Sequence, residues 1–418
     1  MKTSRLFVAS CVSLVTTSMV FAIRGDIEPA MSASFQLSAQ QMGLIWSPAF
    51  WAFTIAIFVS GALVDVVGMR ALHILSAVGY LLGVALVVVA PYPSAPVASI
   101  FDTTGTTMLY AGFFTMGLSQ GLVEGVINPL VATLYSKEKT RKLNMLHAWW
   151  PAGMIIGGLL AYALTGFGAS WQIKLSLILI PAATYLIMAL TQPYPKTERV
   201  ASNISTGEMW REAGRPIFLL LFVCMWMTAA VELGPDQWFP SVMGALTGIQ
   251  GILFLVYTAG LMFVLRTYFA GIAHASPIRT LVVCSVLVAV GLYWLGSLQP
   301  GASPIIAFAA ATIFGIGKTY FWPTMLGVTA EQFPRGGALL LSLMGGAGML
   351  SVAVVLPIMG ARIDSLGAGA ALQLVAGLGM VLAVIFGGLF VYFRARGGYQ
   401  PVTLATATSG PRSGRSSL

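Results

Sequence analysis

Charge is what this 418-residue chain has least of. Asp and Glu together number 13, His only 3, and charged residues make up 8% of the whole. Soluble domains carry about a quarter charged residues, so a water-soluble globular protein is excluded. Cysteine is nearly absent as well. Cys11, Cys224 and Cys284 each fall within an apolar run, which reads as three small buried side chains without a disulfide framework. Nor is there a glycine-rich phosphate loop, a metal-spaced cluster of His, Cys and acids, or a nucleophile with its base. The sequence therefore argues against an enzyme and against a bound cofactor.

What is abundant is apolar surface. Hydrophobic residues reach 57% and mean hydropathy is +0.87. A membrane-crossing helix needs roughly 20 mostly apolar residues, and twelve such segments are placed at about 6–30, 40–64, 71–91, 106–134, 143–166, 172–191, 216–242, 247–268, 279–297, 303–330, 337–362 and 368–394. The expected fold is an all-α membrane protein with the lipid bilayer as its surroundings.

The net charge of +9 would suit nucleic acid, but the basic residues sort by side. With the N-terminus placed in the cytoplasm, every Lys and Arg falls inside except Lys174 and Arg362 outside and Arg24 and Lys318 within spans. The charge thus reads as topology, without nucleic-acid binding: a multi-pass protein of the cell (inner) membrane with both termini cytoplasmic. The N-terminus MKTSRLFVASCVSLVTTSMVFAIRG has a basic start and an apolar run but no small-x-small cleavage pattern, so it is read as the first span.

The chain also repeats itself. At an offset of 194, GLVEGVINP (121–129) falls on GIGKTYFWP (315–323), pairing Gly121 with Gly315, Pro129 with Pro323 and Glu124 with Lys318. PAGMIIGG (151–158) meets GAGMLSVA (346–353) at 195, and Glu138 meets Glu331 at 193. The reading is two pseudo-symmetric six-helix bundles, 1–191 and 216–396, joined by a cytoplasmic linker at 192–215 and followed by a disordered cytoplasmic tail at 397–418. Parallel repeats with a solute bound between them are a transporter architecture.

Between the second and third spans, GALVDVVGMR resembles the G-x-L-x-D-x-x-G-x-R signature of the major facilitator superfamily, with Asp65, Gly68 and Arg70 in place and Val66 where a basic residue is usual. The corresponding loop of the second half keeps only Gly271 and Arg279. Asp65 can accept hydrogen bonds at a helix end, Gly68 permits a tight turn, and the loop reads as a conformational latch. PAMSASFQLSAQQMGLI, GLVEGVINPLVATL, LNMLHAWWPAGMIIG and VELGPDQWFP are similar to the fucose-permease branch of proton-coupled sugar symporters. That resemblance implies a protonation site four residues before the Asn-Pro pair of the fourth span, where Glu124 stands. It also implies an aspartate four before a proline in the first span, whereas Asp26 is three before Pro29 and Gly25 holds the matching position.

The residues themselves support a wet site. Gln120, Glu124 and Asn128 recur every four residues as one polar stripe, and Gly117, Gly121 and Gly125 form a second stripe that lets a neighbouring helix approach. A carboxylate at mid-membrane costs about 2.5–3.5 kcal/mol, so Glu124 is expected to be neutral when occluded and able to lose its proton when opened to water, or else to sit in a structural polar contact. Lys318, at the repeat-equivalent place, is expected to attract Glu124 or to bind a polar or anionic group of the solute. Arg24, Asp26, Glu28 and Asp236 lie near the external ends of the first and seventh spans. They read either as an external gate, Arg24 pairing with Glu28 or with an acid of the seventh span, or as solvated end residues. Glu232 is deeper and reads as cavity-lining. Candidate sugar contacts are Asn128, Gln120, Asn144, His147, Trp150, Glu232, Gln237, Trp238, Lys318 and Trp322. The function expected is proton-coupled symport of a sugar or small polar solute by a monomer. The alternatives are a sugar-acid or organic-anion symporter, a proton-coupled drug exporter, and a non-transporting receptor or scaffold.

Overall fold

Within a bilayer no water is available to the main chain, so apolar segments of this length can close their hydrogen bonds only as helices. The computed structural model describes residues 3–64, 67–135, 142, 145–195, 206–269, 275–333 and 335–402. Their helices are α1 (Thr3–Phe35), α2 (Ala39–Leu63), α3 (Met69–Val88), α4 (Thr104–Leu134), α5 (Trp149–Gly166), α6 (Trp171–Ser176), α7 (Leu179–Thr191) and α8 (Thr206–Ala213). The second half continues with α9 (Pro216–Thr247), α10 (Ile252–Tyr268), α11 (Pro277–Gly296), α12 (Pro304–Lys318), α13 (Phe321–Gln332), α14 (Gly337–Leu366) and α15 (Ala368–Ala395). Ten helical runs are long and apolar enough to cross a membrane. The polar-striped α4 and the shorter apolar α10 bring the crossings to the expected twelve.

Among the described residues, the sixth and tenth crossings are each divided into two helices just before a proline. Pro181 cannot donate to the carbonyl of Leu177, and Pro323 cannot donate to that of Thr319. The chain there tightens into i to i+3 bonds, Ile180 N to Leu177 O at 3.2 Å and Thr319 N to Ile316 O at 3.3 Å. The sixth crossing is accordingly α6 with α7, and the tenth is α12 with α13. Helix starts follow local chemistry. Ser38 and Gln41 form a capping box at α2, Thr103 caps α4, and Pro stands in the first turn of α9, α11 and α12.

The halves meet mainly along α2 and α14, with further packing of α5 on α10 and α1 on α9. Gly43 and Gly360 admit the opposing backbone so closely that a methyl at Gly43 would lie 2.6 Å from the Cα of Pro357. Pro357 leaves the carbonyl of Ala353 without its helical donor, and Ser47 of α2 donates to it at 2.7 Å; lower down, Thr54 donates to Gly346 O at 2.8 Å. At the far end Asp364 of α14 accepts from the first main-chain N–H groups of α2, Ala39 at 3.0 Å and Gln40 at 2.8 Å.

The linker region holds a helix, α8, and its residues 196–205 lie outside the described residues. The start of the supposed disordered tail is bound: Tyr399 donates to Glu331 Oε2 at 2.7 Å, Val402 N to Glu331 O at 2.9 Å, and Gln332 to Gln400 O at 2.9 Å. Its polar composition concealed this, because the partners are the last residues of α13. Residues 403–418 lie outside the described residues.

Candidate functional site

The α4 stripes divide as their spacing dictates. The glycine face receives α2: a methyl on Gly117 would meet Ala49 O at 2.6 Å, and one on Gly121 would meet Phe53 O at 2.5 Å. On the polar face, Asn128 Nδ2 donates to Glu124 Oε2 at 3.1 Å and to the Glu124 carbonyl at 3.1 Å. Asn128 Oδ1 is 3.0 Å from His147 Nε2. Because the amide nitrogen of Asn128 is committed to Glu124, its oxygen faces the imidazole, and Nε2 must carry the proton. Glu124 and Asn128 are half-buried and His147 is exposed, so the chain of three runs outward from the carboxylate. Tyr80 of α3 faces Glu124 electrostatically and shares a 2.8 Å hydrogen bond with Thr17. Gln120, one turn before Glu124, is buried.

Lys318 does not reach for Glu124. It ends α12, fully buried, and donates to both carboxylate oxygens of Asp236 at 2.5 and 2.6 Å and to Thr258 at 3.2 Å. Asp236, read as an end or gate residue, is therefore an interior residue of the second half. The sequence spacing hid this because α9 is long enough, at 32 residues, to carry Asp236 well inside the bundle. One turn earlier Glu232 Oε1 lies 3.5 Å from Arg266, a cation that the side-counting had assigned to the cytoplasmic surface. Arg266 Nε donates at 2.7 Å to Thr319 O, the carbonyl orphaned by Pro323.

The charges of α1 are likewise partnered across the fold. Asp26 binds Lys174 of α6 at 2.8 Å, so Lys174 is not a free external charge. Arg24, 1% exposed, does not pair with Glu28 or with an acid of α9. Its Nε donates at 2.5 Å to Gln237 Oε1, and Gln237 Nε2 donates to Phe21 O at 3.0 Å. Glu28 is buried, and the nearby hydroxyls of Ser32 and Ser241 donate to the carbonyls of Pro29 and Trp238 at 3.2 and 3.1 Å. The Arg24 guanidinium lies over Phe50 at 4.6 Å and Phe21 at 5.6 Å. Trp46, one turn before Phe50 on α2, and Trp238, next to Gln237 on α9, are in contact, centroids 5.2 Å apart. Arg24 Nη1 and the indole nitrogens of Trp46 and Trp238 are buried with no hydrogen-bond partner among the described residues. Each such donor costs about 1–3 kcal/mol, more for a charged one.

Trp150 packs on Phe21 with centroids 6.0 Å apart, and the Trp322 ring covers Gly348. Gly68 adopts φ 89°, the left-handed conformation its turn requires. Arg70 donates to Ala189 O at 3.2 Å and Leu190 O at 2.6 Å, so it closes the end of α7 within its own half instead of joining the halves. Asp65 and Asn144 lie outside the described residues. Residues not singled out beforehand are Arg266, Lys174, Thr258 and Trp46. Only Arg266 had a legible signal, the proline four residues after the carbonyl it binds.

The major facilitator superfamily model matches residues 6–298. No curated protein sequence matches the chain. Solved structures do. The xylose transporter XylE from E. coli in its partially occluded inward-open conformation superposes with a TM-score of 0.76 at 13% identity, over 92% of this chain and 97% of that one. A D-xylose-proton symporter gives 0.75 at 14%, over 91% and 96%. The nucleoside transporter NupG gives 0.69 at 13%, over 93% and 99%. Twelve crossings, a buried polar interior and a family match over most of the chain lead to one conclusion: this chain belongs to the major facilitator superfamily and is a multi-pass membrane transporter, not an enzyme.

Proposed function

We propose that this transporter is a proton-coupled symporter of a sugar or related small polar solute, working by alternating access between its halves, as a monomer in the cell (inner) membrane with both termini cytoplasmic. The observation that carries the reading is the line Glu124, Asn128, His147, which joins a carboxylate inside the bundle to an exposed imidazole with hydrogen bonds of 3.1 and 3.0 Å. Ionised, Glu124 only accepts from Asn128. Protonated, it becomes a donor as well and a weaker acceptor. Its proton therefore changes what the amide presents to His147 and to any solute beside it, and no cofactor beyond the proton is needed. The resemblance to the fucose-permease branch and the shared fold of a xylose-proton symporter point the same way. The distribution of basic residues supports a cytoplasmic position for both termini and the linker.

The test is uptake into liposomes holding the purified protein, with a panel of sugars and an imposed pH gradient. Glu124→Gln is expected to abolish accumulation against a gradient while leaving exchange of solute across the membrane measurable. Accumulation by the variant at the wild-type level would overturn the coupling role. Drug extrusion without sugar uptake would point to the exporter instead.

A further inference from the structure

Among the described residues, three buried or part-buried cations have an acid at hand. Lys174 has Asp26 at 2.8 Å, Lys318 has Asp236 at 2.5 Å and Arg266 has Glu232 at 3.5 Å. Arg24 has none among the described residues. Its Nε is satisfied by the neutral carbonyl of Gln237, the titratable side chain it faces is the phenol of Tyr80, and its Nη1 meets no acceptor. Phe50 and Phe21 offer ring faces to the cation but no hydrogen bond in the plane of the guanidinium.

Two of the three buried indoles without a partner among the described residues, those of Trp46 and Trp238, lie on elements that adjoin Arg24, the third being Trp171. Trp46 stands one turn before Phe50 on the same face of α2, so it adjoins the ring beneath Arg24, and Trp238 follows Gln237, the residue that holds Arg24. Guanidinium and indole N–H groups donate and never accept. They come from α1 and α2 on one side and α9 on the other, along the interface where a transporter built of two repeats binds its solute.

Resting on the transport reading above, the geometry points to a carboxylate-binding subsite formed by Arg24 Nη1 and the indole N–H groups of Trp46 and Trp238, which makes the transported solute a small hydroxylated acid instead of a neutral sugar. A carboxylate supplies acceptor lone pairs without competing donors, and one negative charge against one guanidinium. A sugar hydroxyl brings no charge and carries its own hydrogen. A phosphate monoester brings nearly two charges against one cation.

The experiment is thermal stabilisation of the purified full-length protein by matched probes, D-gluconate with D-glucose and D-galactonate with D-galactose, with glucose 6-phosphate as the phosphate arm. The same probes are followed by uptake into liposomes under a pH gradient. At least one acid is expected to bind about tenfold or more tightly than its neutral partner and than the phosphate. Arg24→Gln should erase that preference. Trp46→Phe and Trp238→Phe keep the ring packing, remove only the N–H, and should each weaken the acid several-fold and so narrow its preference over the neutral partner; they decide the matter if Arg24→Gln does not fold. A neutral sugar or the phosphate binding as tightly as the acids, no acid binding at all, or a preference that survives all three substitutions overturns the subsite. Gradient-driven uptake of a neutral sugar without acid binding would sink this inference and leave the transport reading standing, whereas acid binding without gradient-driven accumulation would support the subsite and sink proton coupling.

Discussion

Lys318 and Asp236, with side chains 0% and 1% exposed, are held to each other by hydrogen bonds of 2.5 and 2.6 Å. Removing one partner of such a buried pair strands the other charge and costs about 3–5 kcal/mol, while replacing both with apolar residues is often neutral. Asp236→Asn is therefore expected to lower the unfolding midpoint in detergent sharply, and Lys318→Met combined with Asp236→Leu to restore most of it. Glu124 is a different case. Among the described residues it has no cation partner, and Glu124→Gln preserves its shape, so the variant's thermal stability should change by less than about 1 kcal/mol even though coupling is lost. At this scale Glu124, Asn128 and His147 were legible, since four-residue spacing on one helix puts two of them in reach. The partners of Lys318, Asp26 and Glu232 were not. Arg266 and Lys174 stand near span ends, where counting basic residues assigns a side of the membrane and says nothing about burial.

At the level of elements, the glycine face of α4 is a contact surface for α2, with methyl positions at Gly117 and Gly121 already 2.6 and 2.5 Å from backbone oxygens. Gly121→Leu should cost about 1–3 kcal/mol or more through forced separation of the two helices, seen as reduced folded yield and a lower unfolding midpoint. The break between α12 and α13 involves opposing effects. Pro323→Ala gains up to about 3 kcal/mol of intrinsic helix propensity. It also returns a main-chain donor to Thr319 O and displaces Arg266, leaving a buried guanidinium N–H to find another acceptor at about 1–3 kcal/mol. The expected outcome is a small shift in stability with a clear fall in transport rate, because Arg266 and Glu232 lose the geometry the break gives them. The prolines themselves stand in the sequence, but they do not single out the breaks, since Pro29, Pro48, Pro129, Pro235, Pro240 and Pro357 lie inside unbroken helices. What the freed groups bind could not be read there either, since Arg266 is 53 residues from Thr319.

Across the whole molecule, α2 and α14 run antiparallel in contact, from Asp364 at the start of α2 through Ser47 and Ala353 to Thr54 and Gly346. If the halves rock during transport, some of this seam must open. Ser47→Cys together with Ala353→Cys, cross-linked by an oxidant, should arrest uptake, and a reductant should restore it. The background is favourable because Cys11, Cys224 and Cys284 are all buried. Undiminished transport by the cross-linked protein would mean that the seam does not move.

The sequence alone determined the solvent, the secondary structure and the class of protein, because those depend on composition and short spacing. Apolar length dictates helices in a bilayer, a polar stripe every four residues dictates a wet face, and an internal repeat dictates two related bundles. Only the tertiary structure decided which charge answers which. The repeat set Lys318 opposite Glu124 by symmetry, yet Asp236 is nearer on the packed face of α9 and takes it. Arg24, read either as a partner of an acid or as a solvated end residue, meets the amide of Gln237 and the rings of Phe50 and Phe21. Pairing inside a membrane is settled by proximity in a medium of low dielectric, where a charge a few ångströms closer outweighs any regularity of position along the chain.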